Sequence, residues 1–514
     1  MAVASSSPTA RRHERLGGWV ERAGRMPFLT SIVISILLAL LSAAVLPTVP
    51  SYDPWSWIVW GREVFDPHLS FFVGGGPSWK PLPFGFTTVY GLFGHLAPTL
   101  WVITARVGGI LAVIAAYRLG SLLVRNGRGD EVQSWEPIVA GLFAAAGILL
   151  TQDWFYYMFR GTSEPMLVGL SLWAIDRHLA GRHVLAFILM VGASLIRPEW
   201  WPFVFLYGIW LFRHNPRLWP MIIVGWLLIP FGWFVPPWVS TGQPLLAATH
   251  AKAYNGHLGS DPFVEVMRRA ADLQVIPSLV FAVVALVITW FKERDRVILG
   301  LGAVAAAWWV LVVGMTLDGY PGLERFFLPA AAVICVLGGV GVARAARLVG
   351  DWVGARAAGG AGDGAGGPSR ALWVAGGVAL LLVLVSIPFT ISRVNTARAA
   401  EPTAARAVTR LNQLSDAVAA AGYHQRVYPC HSSFAAVNHG VQTALAWKLH
   451  VSLERVGTSM RHQGVMFVGP WDSIDGGPPD VNPLLTSKQL IARAGPWSIY
   501  KMTQPGHDNP CVGR

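Results

Sequence analysis

One apolar run follows another along this chain, and few folds can bury or solvate such runs in water. Stretches of about 20 apolar residues, enough to cross a bilayer core at 1.5 Å of helix rise each, can be placed over residues 28–49, 101–122, 137–153, 165–181, 184–197, 199–213, 218–238, 274–291, 297–316, 326–344 and 371–393. The pattern predicts an α-helical polytopic membrane protein with about 11 transmembrane helices. Only 13% of the 514 residues are charged while 53% are hydrophobic, and the mean hydropathy is +0.47, well away from a soluble domain.

The net charge of +12 does not point to nucleic acid. Its arginines and lysines stand in short clusters between the apolar runs, the pattern that orients membrane helices, and no nucleic-acid recognition module accompanies them. Arg11, Arg12, Arg15, Arg22 and Arg25 precede the first run, and no small-residue cleavage site follows it, so the N-terminus, residues 1–27, is expected in the cytoplasm rather than removed as a signal peptide. With eleven crossings, nineteen basic residues fall on the cytoplasmic side and eight on the other. This places a first external loop, residues 50–100, and the C-terminal region from residue 394 outside the cytoplasm, in a multi-pass protein of the cell membrane.

The densest crossing region is 184–213, where two short runs flank "LIRPEWW"; a single tilted helix there is the other reading. "VGARAAGGAGDGAGGPSR" (353–370) reads as a flexible cytoplasmic linker between spans of a membrane domain covering residues 28–393. Residues 394–514 are more polar. They read as a small extracytoplasmic α/β domain, with strands expected at "RVYPC", "GVMFVG" and "WSIYKM" and a helix at "TSKQLIARAG". Cys430 and Cys511 lie in this oxidising compartment as a candidate disulfide, and Cys335 sits alone in a span as a packing residue.

The charges of the first loop have an order. Asp53 is followed after eight residues by Arg62, in "GREV" (61–64), with Trp55, Trp57 and Trp60 between, a spacing that suits a short amphipathic helix in the membrane interface. "GGGPSWKPLP" then presents Lys80 on a turn, ahead of an apolar segment ending in "YGLFG" (90–94). Bland readings stand beside functional ones. Asp53 before Pro54 fits a helix start, Arg62 and Glu63 fit a local ion pair, and Lys80 beside Trp79 fits an interface anchor.

This order resembles the first external loop of the GT-C membrane glycosyltransferases, in the manner of the bacterial aminoarabinose lipid A transferases and the protein O-mannosyltransferases of glycosyltransferase family 39. The similarity continues through Arg106, "FRGTSEPM" with Glu164, "IRPE" (196–199) and "ERFFLP" (324–329), and covers about residues 28–345. Asp53-Pro54 stands where such proteins often carry an acidic pair, and "K-P-L-P" where they carry "K-P-P-L". Both departures leave the sugar and acceptor open.

The resemblance implies a GT-C-like fold. It also implies a glycosyltransferase, hexosyl or pentosyl, that passes a sugar from a polyprenyl-phosphate carrier to a lipid, polysaccharide or protein acceptor of the cell envelope, with inversion. In that frame Asp53 is the expected general base. Lys80, Arg62 and Arg325 are the expected phosphate ligands, with Arg160 and Arg197 in reserve. Glu164 and Glu63 are further site candidates, and Trp55, Trp57 and Trp79 are the aromatics that flank the site. No His or Cys spacing suits a metal and no nucleotide-phosphate loop is present; Mg²⁺ or Mn²⁺ at the carboxylates is the cofactor left open. A transporter or flippase, and a noncatalytic envelope assembly factor, are the competing functions.

Overall fold

The computed structural model describes residues 28–67, 69–71, 76–125, 132–253, 261–358, 367–430, 433–470 and 476–504. Its bundle begins with α1 (Phe28–Val45), which buries only a stripe of Ser31, Ser35 and Ala39 and leaves its leucines outward. Such an apolar outer face belongs against lipid rather than water. At the opposite extreme, α15 (Leu328–Ala358) runs through the centre, and 94% of its most apolar window is buried.

Small residues explain why α15 can be central. A Cβ on Gly341 would sit 1.9 Å from the carbonyl oxygen of Phe281 in α13 (Ile276–Ile288), and one on Gly339 would sit 2.1 Å from that of Ala140 in α5 (Trp135–Leu149). Without a side chain at those points the backbones meet directly, the close approach that drives helix association in a bilayer. Replacing Gly341 would push α15 from α13, and replacing Gly339 would push it from α5.

Among the described residues, seven helices are long and apolar enough to cross a membrane, and the chain is a multi-pass membrane protein. The other four expected crossings coincide with α5, α7 (Glu164–Leu179), α8 (His183–Ser194) and α9 (Trp201–His214), none longer than 16 residues. Sixteen residues rise about 24 Å, short of a hydrocarbon core of roughly 30 Å. By length and composition, seven of the eleven expected crossings are recovered among the described residues. The run 184–213 is two helices, parted by a short turn at Pro198–Trp200, because Pro198 cannot continue α8.

Three local expectations are corrected. The linker 353–370 is shorter than read: α15 continues to Ala358 and α16 (Gly367–Ser386) has begun by Gly367, while 359–366 lie outside the described residues. Alanine carries the helix further than the glycine count suggested. The helix of the first loop, α2 (Tyr52–Arg62), does not lie on the membrane surface with one face in water. Every residue from Pro54 to Gly61 is buried, and at Gly61 a Cβ would lie 2.5 Å from the backbone of Thr87. The helix is thus clamped against α3 (Pro81–Gly91), itself one of the loop's apolar segments.

The third correction concerns the C-terminal domain. A long helix, α17 (Ile391–Ala420), straddles residue 394 and leads into a five-stranded sheet. Its strands β1 (Phe434–Ala436), β2 (Val456–Gly457), β4 (Gly464–Val468), β6 (Ser487–Ala494) and β7 (Trp497–Thr503) lie in the order β2-β1-β4-β7-β6. "GVMFVG" and "WSIYKM" are strands as expected. "TSKQLIARAG" is a strand, not a helix, because Gly495 at φ +52° turns the chain and lets β6 pair with β7. "RVYPC" is not a strand: residues 423–427 complete a short helix.

This domain rests on the first loop. The Tyr52 hydroxyl donates to Gln442 Oε1 at 2.9 Å, and the Thr443 hydroxyl donates to the Tyr52 carbonyl at 2.9 Å, both residues lying on α19 (Gln442–Leu449). Loop and domain therefore share one end of the bundle.

Candidate active site

Lys80 is placed by its neighbours in sequence and by one distant carboxylate. Pro81 opens α3 with its fixed φ, and Lys80 precedes it in an extended conformation, as the residue before a proline prefers. Asp53 holds the turn before it: the Ser78 amide donates to Oδ1 at 3.1 Å and the Ser78 hydroxyl to Oδ2 at 2.8 Å. Asp53 therefore does not cap its own helix. Its carboxylate ties α2 to the turn that carries Trp79 and Lys80.

From that turn the Lys80 ammonium reaches inward. It donates to the Ser163 hydroxyl at 2.7 Å and lies 3.6 Å from Glu164 Oε1, over the ring of Trp57 at 5.4 Å. Glu164 opens α7, followed by Pro165, and is almost fully buried. The same Oε1 is 3.0 Å from Arg197 Nη2 and 3.9 Å from Arg325 Nε. Arg197 stands at the break between α8 and α9, pairs also with Glu199 at 3.1 Å, and packs over Phe326 at 4.2 Å.

Three cations thus converge against two carboxylates, Glu164 and Glu199. Two of the three are sealed, while the Arg325 side chain is 32% exposed against 8% for Lys80 and 7% for Arg197. The opening is at Arg325. Burial pushes the Lys80 ammonium down to about 8, with Glu164 acting against that and Arg197 and Arg325 adding to it. Asp53 adds its charge beside Lys80, so the cluster is near balance, and three cations that share Glu164 in a poorly solvated place, with Arg325 open, present donors suited to an anion.

Neither a protein-family model nor a curated protein matches the sequence. Among solved structures, the chain resembles the crystal structure of ArnT from Cupriavidus metallidurans bound to undecaprenyl phosphate, at 15% identity and a TM-score of 0.53, over 92% of this chain and 97% of that one. The fold is ArnT-like. The apo-state crystal structure of the same ArnT covers the same shares at 15% identity, with a TM-score of 0.48. The helical membrane fold with a small C-terminal α/β domain expected from the sequence is the fold observed.

Within this ArnT-like frame the sequence candidates divide. Asp53, Lys80, Glu164, Arg197 and Arg325 lie on or beside the cluster. Arg62 does not. It stands nine positions after Asp53 on the same helix, about 13 Å of rise, and its guanidinium donates to the carbonyls of Val451 at 2.9 Å and Trp447 at 3.4 Å and pairs with Glu63 at 2.5 Å. Arg62 and Glu63 fasten the C-terminal domain, and burial pushes the Glu63 carboxyl up while Arg62 draws it down.

Arg160 is also elsewhere: its carbonyl accepts from the Ser51 amide at 2.8 Å, and its side chain lines a separate cleft with Trp55. Trp57 donates to the Ser78 carbonyl at 2.7 Å and Trp79 to that of Gly232 at 3.1 Å. Both indoles are buried braces of the turn. Trp57 alone touches a charged group of the cluster through its ring face.

For Mg²⁺ or Mn²⁺ the residues present are a poor match. Glu164 Oε1 faces three cations within 3.9 Å, which would repel a divalent ion, and Asp53 is committed to Ser78. No three His, Cys, Asp or Glu side chains gather among the described residues. Cys335 is a buried free thiol as expected of a packing residue; Cys511, half of the candidate disulfide with Cys430, lies outside the described residues.

The sequence reading missed Ser78, Ser163, Glu199 and Tyr157. Tyr157 is buried near Glu164, and burial, with the Glu164 charge adding to it, pushes its hydroxyl well above the usual phenol range. Only Glu199 carried a signal, its place beside Arg197 in "IRPE". The serines matter through contacts that join residues 25 and 83 positions apart.

Proposed function

We propose that the chain is a glycosyltransferase that takes a sugar from a polyprenyl-phosphate carrier and passes it to a cell-envelope acceptor. The observation that carries this reading is the convergence of Lys80, Arg197 and Arg325 on one buried carboxylate, Glu164, with Arg325 reaching solvent. On an ArnT-like fold, and with one such ArnT structure bound to undecaprenyl phosphate, a polyprenyl phosphate is the anion that these three cations suit best. The first loop and C-terminal domain would face outside the cytoplasm, with residues 1–27 within it, following the charge asymmetry of the sequence.

In this mechanism the acceptor oxygen attacks the anomeric carbon as the bond from that carbon to the carrier phosphate oxygen breaks. The electron pair of the broken bond stays on the phosphate, where Lys80, Arg197 and Arg325 stabilise the charge as it develops. Asp53 takes the acceptor proton. Its link to Ser78 would keep the base and Lys80 in fixed relation, so that proton removal and leaving-group stabilisation act across one short turn.

The test is sugar transfer or donor hydrolysis by the purified protein in lipid, with a panel of labelled polyprenyl-phosphate sugars. Asp53→Asn is expected to lower turnover by about 10²–10⁴-fold at unchanged folded yield, the range for a lost general base. Turnover by the variant equal to wild type would make Asp53 a brace of the Ser78 turn alone. No turnover by wild type with the whole panel would favour a transporter or an assembly factor.

A further inference from the structure

The break between α8 and α9 carries polar atoms that the mechanism above does not use. Arg197, Glu199 and Trp200 are buried, at 6%, 3% and 6% exposure. On each, one buried polar atom has no hydrogen-bond partner among the described residues: Nε of the arginine, Oε2 of the glutamate and Nε1 of the indole. Two are donors and one is an acceptor. An unpartnered group at such depth is costly, and three of them on one short turn call for a cause.

This turn lies against the open side of the cluster. Arg197 commits its two Nη atoms to Glu164 and Glu199 and packs over Phe326, the neighbour of Arg325. Trp200 meets Trp308 edge-on at 5.5 Å, and the Trp308 indole donates to the Phe326 carbonyl at 2.9 Å. The short turns Pro198–Trp200 and Glu324–Phe327 are thus held together, one bearing Glu199 and Trp200, the other the partly exposed Arg325.

The mix of donors and acceptor selects a ligand group. A hydroxyl both donates and accepts, so it can give its hydrogen to Glu199 Oε2 and take one from the Trp200 indole or Arg197 Nε. An ammonium only donates, which leaves the two donors unmatched and sets like charge beside Arg197. An ionised phosphate offers Glu199 no hydrogen. A sugar joined to a phosphate on Arg197 carries its ring hydroxyls a few ångströms from that side chain.

We infer that Glu199 and Trp200 read a ring hydroxyl of the transferred sugar, and that this sugar is neutral and hydroxylated rather than an amino sugar. The inference rests on the glycosyltransferase reading and deepens it: the cations hold the carrier phosphate, and the adjoining turn selects what the phosphate carries.

The experiment uses the full chain in nanodiscs of phosphatidylcholine and follows binding by native mass spectrometry. The probes are undecaprenyl phosphate itself and undecaprenyl phosphate carrying mannose, glucose, arabinose or aminoarabinose. At least one neutral sugar is expected to raise wild-type affinity above that of the bare carrier by roughly tenfold, the gain from a hydrogen bond to a charged group, and aminoarabinose is not. Trp200→Phe keeps a ring and removes the N–H; it should weaken that sugar donor by about three- to tenfold with the bare carrier unchanged. Glu199→Gln, which keeps the volume, should remove most of the sugar's advantage. The readout is a ratio of two ligands on one sample, so partial misfolding of a variant does not mimic the effect.

Wild-type ratios in both variants overturn the inference, as do equal losses for sugar donor and bare carrier, which would make the turn a support of Arg197 alone. Preference for aminoarabinose overturns it as well. Binding of undecaprenyl phosphate with no gain from any neutral sugar would strike the sugar site and leave the donor phosphate standing. No binding of the carrier in any form would sink the donor reading itself, and the sugar site with it.

Discussion

Two clusters of buried charge lie along α15, one at its middle and one beside its start, and they share a charge in opposite ways. At one, Arg344 lies among carboxylates: Glu293 at 2.6 Å and Asp295 at 3.9 Å, with the Thr289 hydroxyl accepting as well. Asp295 further caps α14 (Arg296–Leu317) by accepting from the Val297 amide at 2.8 Å. Beside the turn that leads into α15, one carboxylate, Glu164, lies among three cations. The first arrangement uses each charge to hold helices together, whereas the second gathers cations around one carboxylate beside a half-buried Arg325. Burial alone does not distinguish a lock from a site; which charge is shared and the presence of an opening do.

The largest effect expected is at Glu164. Glu164→Gln keeps the volume but leaves three cations without their shared carboxylate, and breaking a buried ion pair in this way costs about 3–5 kcal/mol. Thermal unfolding in lipid should show it. A variant as stable as wild type would mean that the cations do not depend on Glu164, and the comparison would break.

The next test compares the two arginines. Arg197→Gln and Arg344→Gln should both lower stability, but only the first should weaken polyprenyl-phosphate binding, by about 10- to 100-fold for loss of hydrogen bonds to a charged group. Equal losses in both would remove the distinction between site and lock.

A smaller effect follows from the Lys80 ammonium, which burial lowers to about 8. The charge is present below that pH and lost as pH rises through it, so phosphate binding should weaken between pH 7 and 9 by up to roughly tenfold. Lys80→Arg, which stays charged over that range, should flatten the profile. A wild-type profile that is already flat would show that Lys80 does not bind the phosphate.

The smallest is at the contact between loop and C-terminal domain. Tyr52→Phe removes the donor to Gln442 Oε1, a change of about 1 kcal/mol, measured as a small drop in the unfolding temperature. A larger drop would mean that domain docking supports the cluster as well as the loop.

Most of the cluster was legible residue by residue. Lys80, Glu164, Arg197 and Arg325 each stand out because an ionised group at the edge of an apolar run needs a partner or a task, yet nothing in the sequence says which partner. Arg62 shows the limit. Its spacing from Asp53 suggested a shared site, but both sit on one helix whose length carries Arg62 to the C-terminal domain. Arg160 is near Glu164 in sequence, yet it lines the cleft beside Trp55. The α/β domain was read as such, but β6 was taken for a helix because its residues favour one locally and only pairing with β7 overrides that preference.

By itself the sequence determined the solvent of this protein. Hydrophobicity accumulates along a run, so helices, their approximate places and the polar C-terminal region follow from residues that are neighbours in the chain. Tertiary structure decided everything that depends on charges meeting: the sharing of Glu164 among three cations, the brace from Asp53 to Ser78, and the removal of Arg62 to another interface. Coulomb and hydrogen-bond energies depend on separations of a few ångströms between residues far apart in sequence, and those distances exist only once the helices have packed.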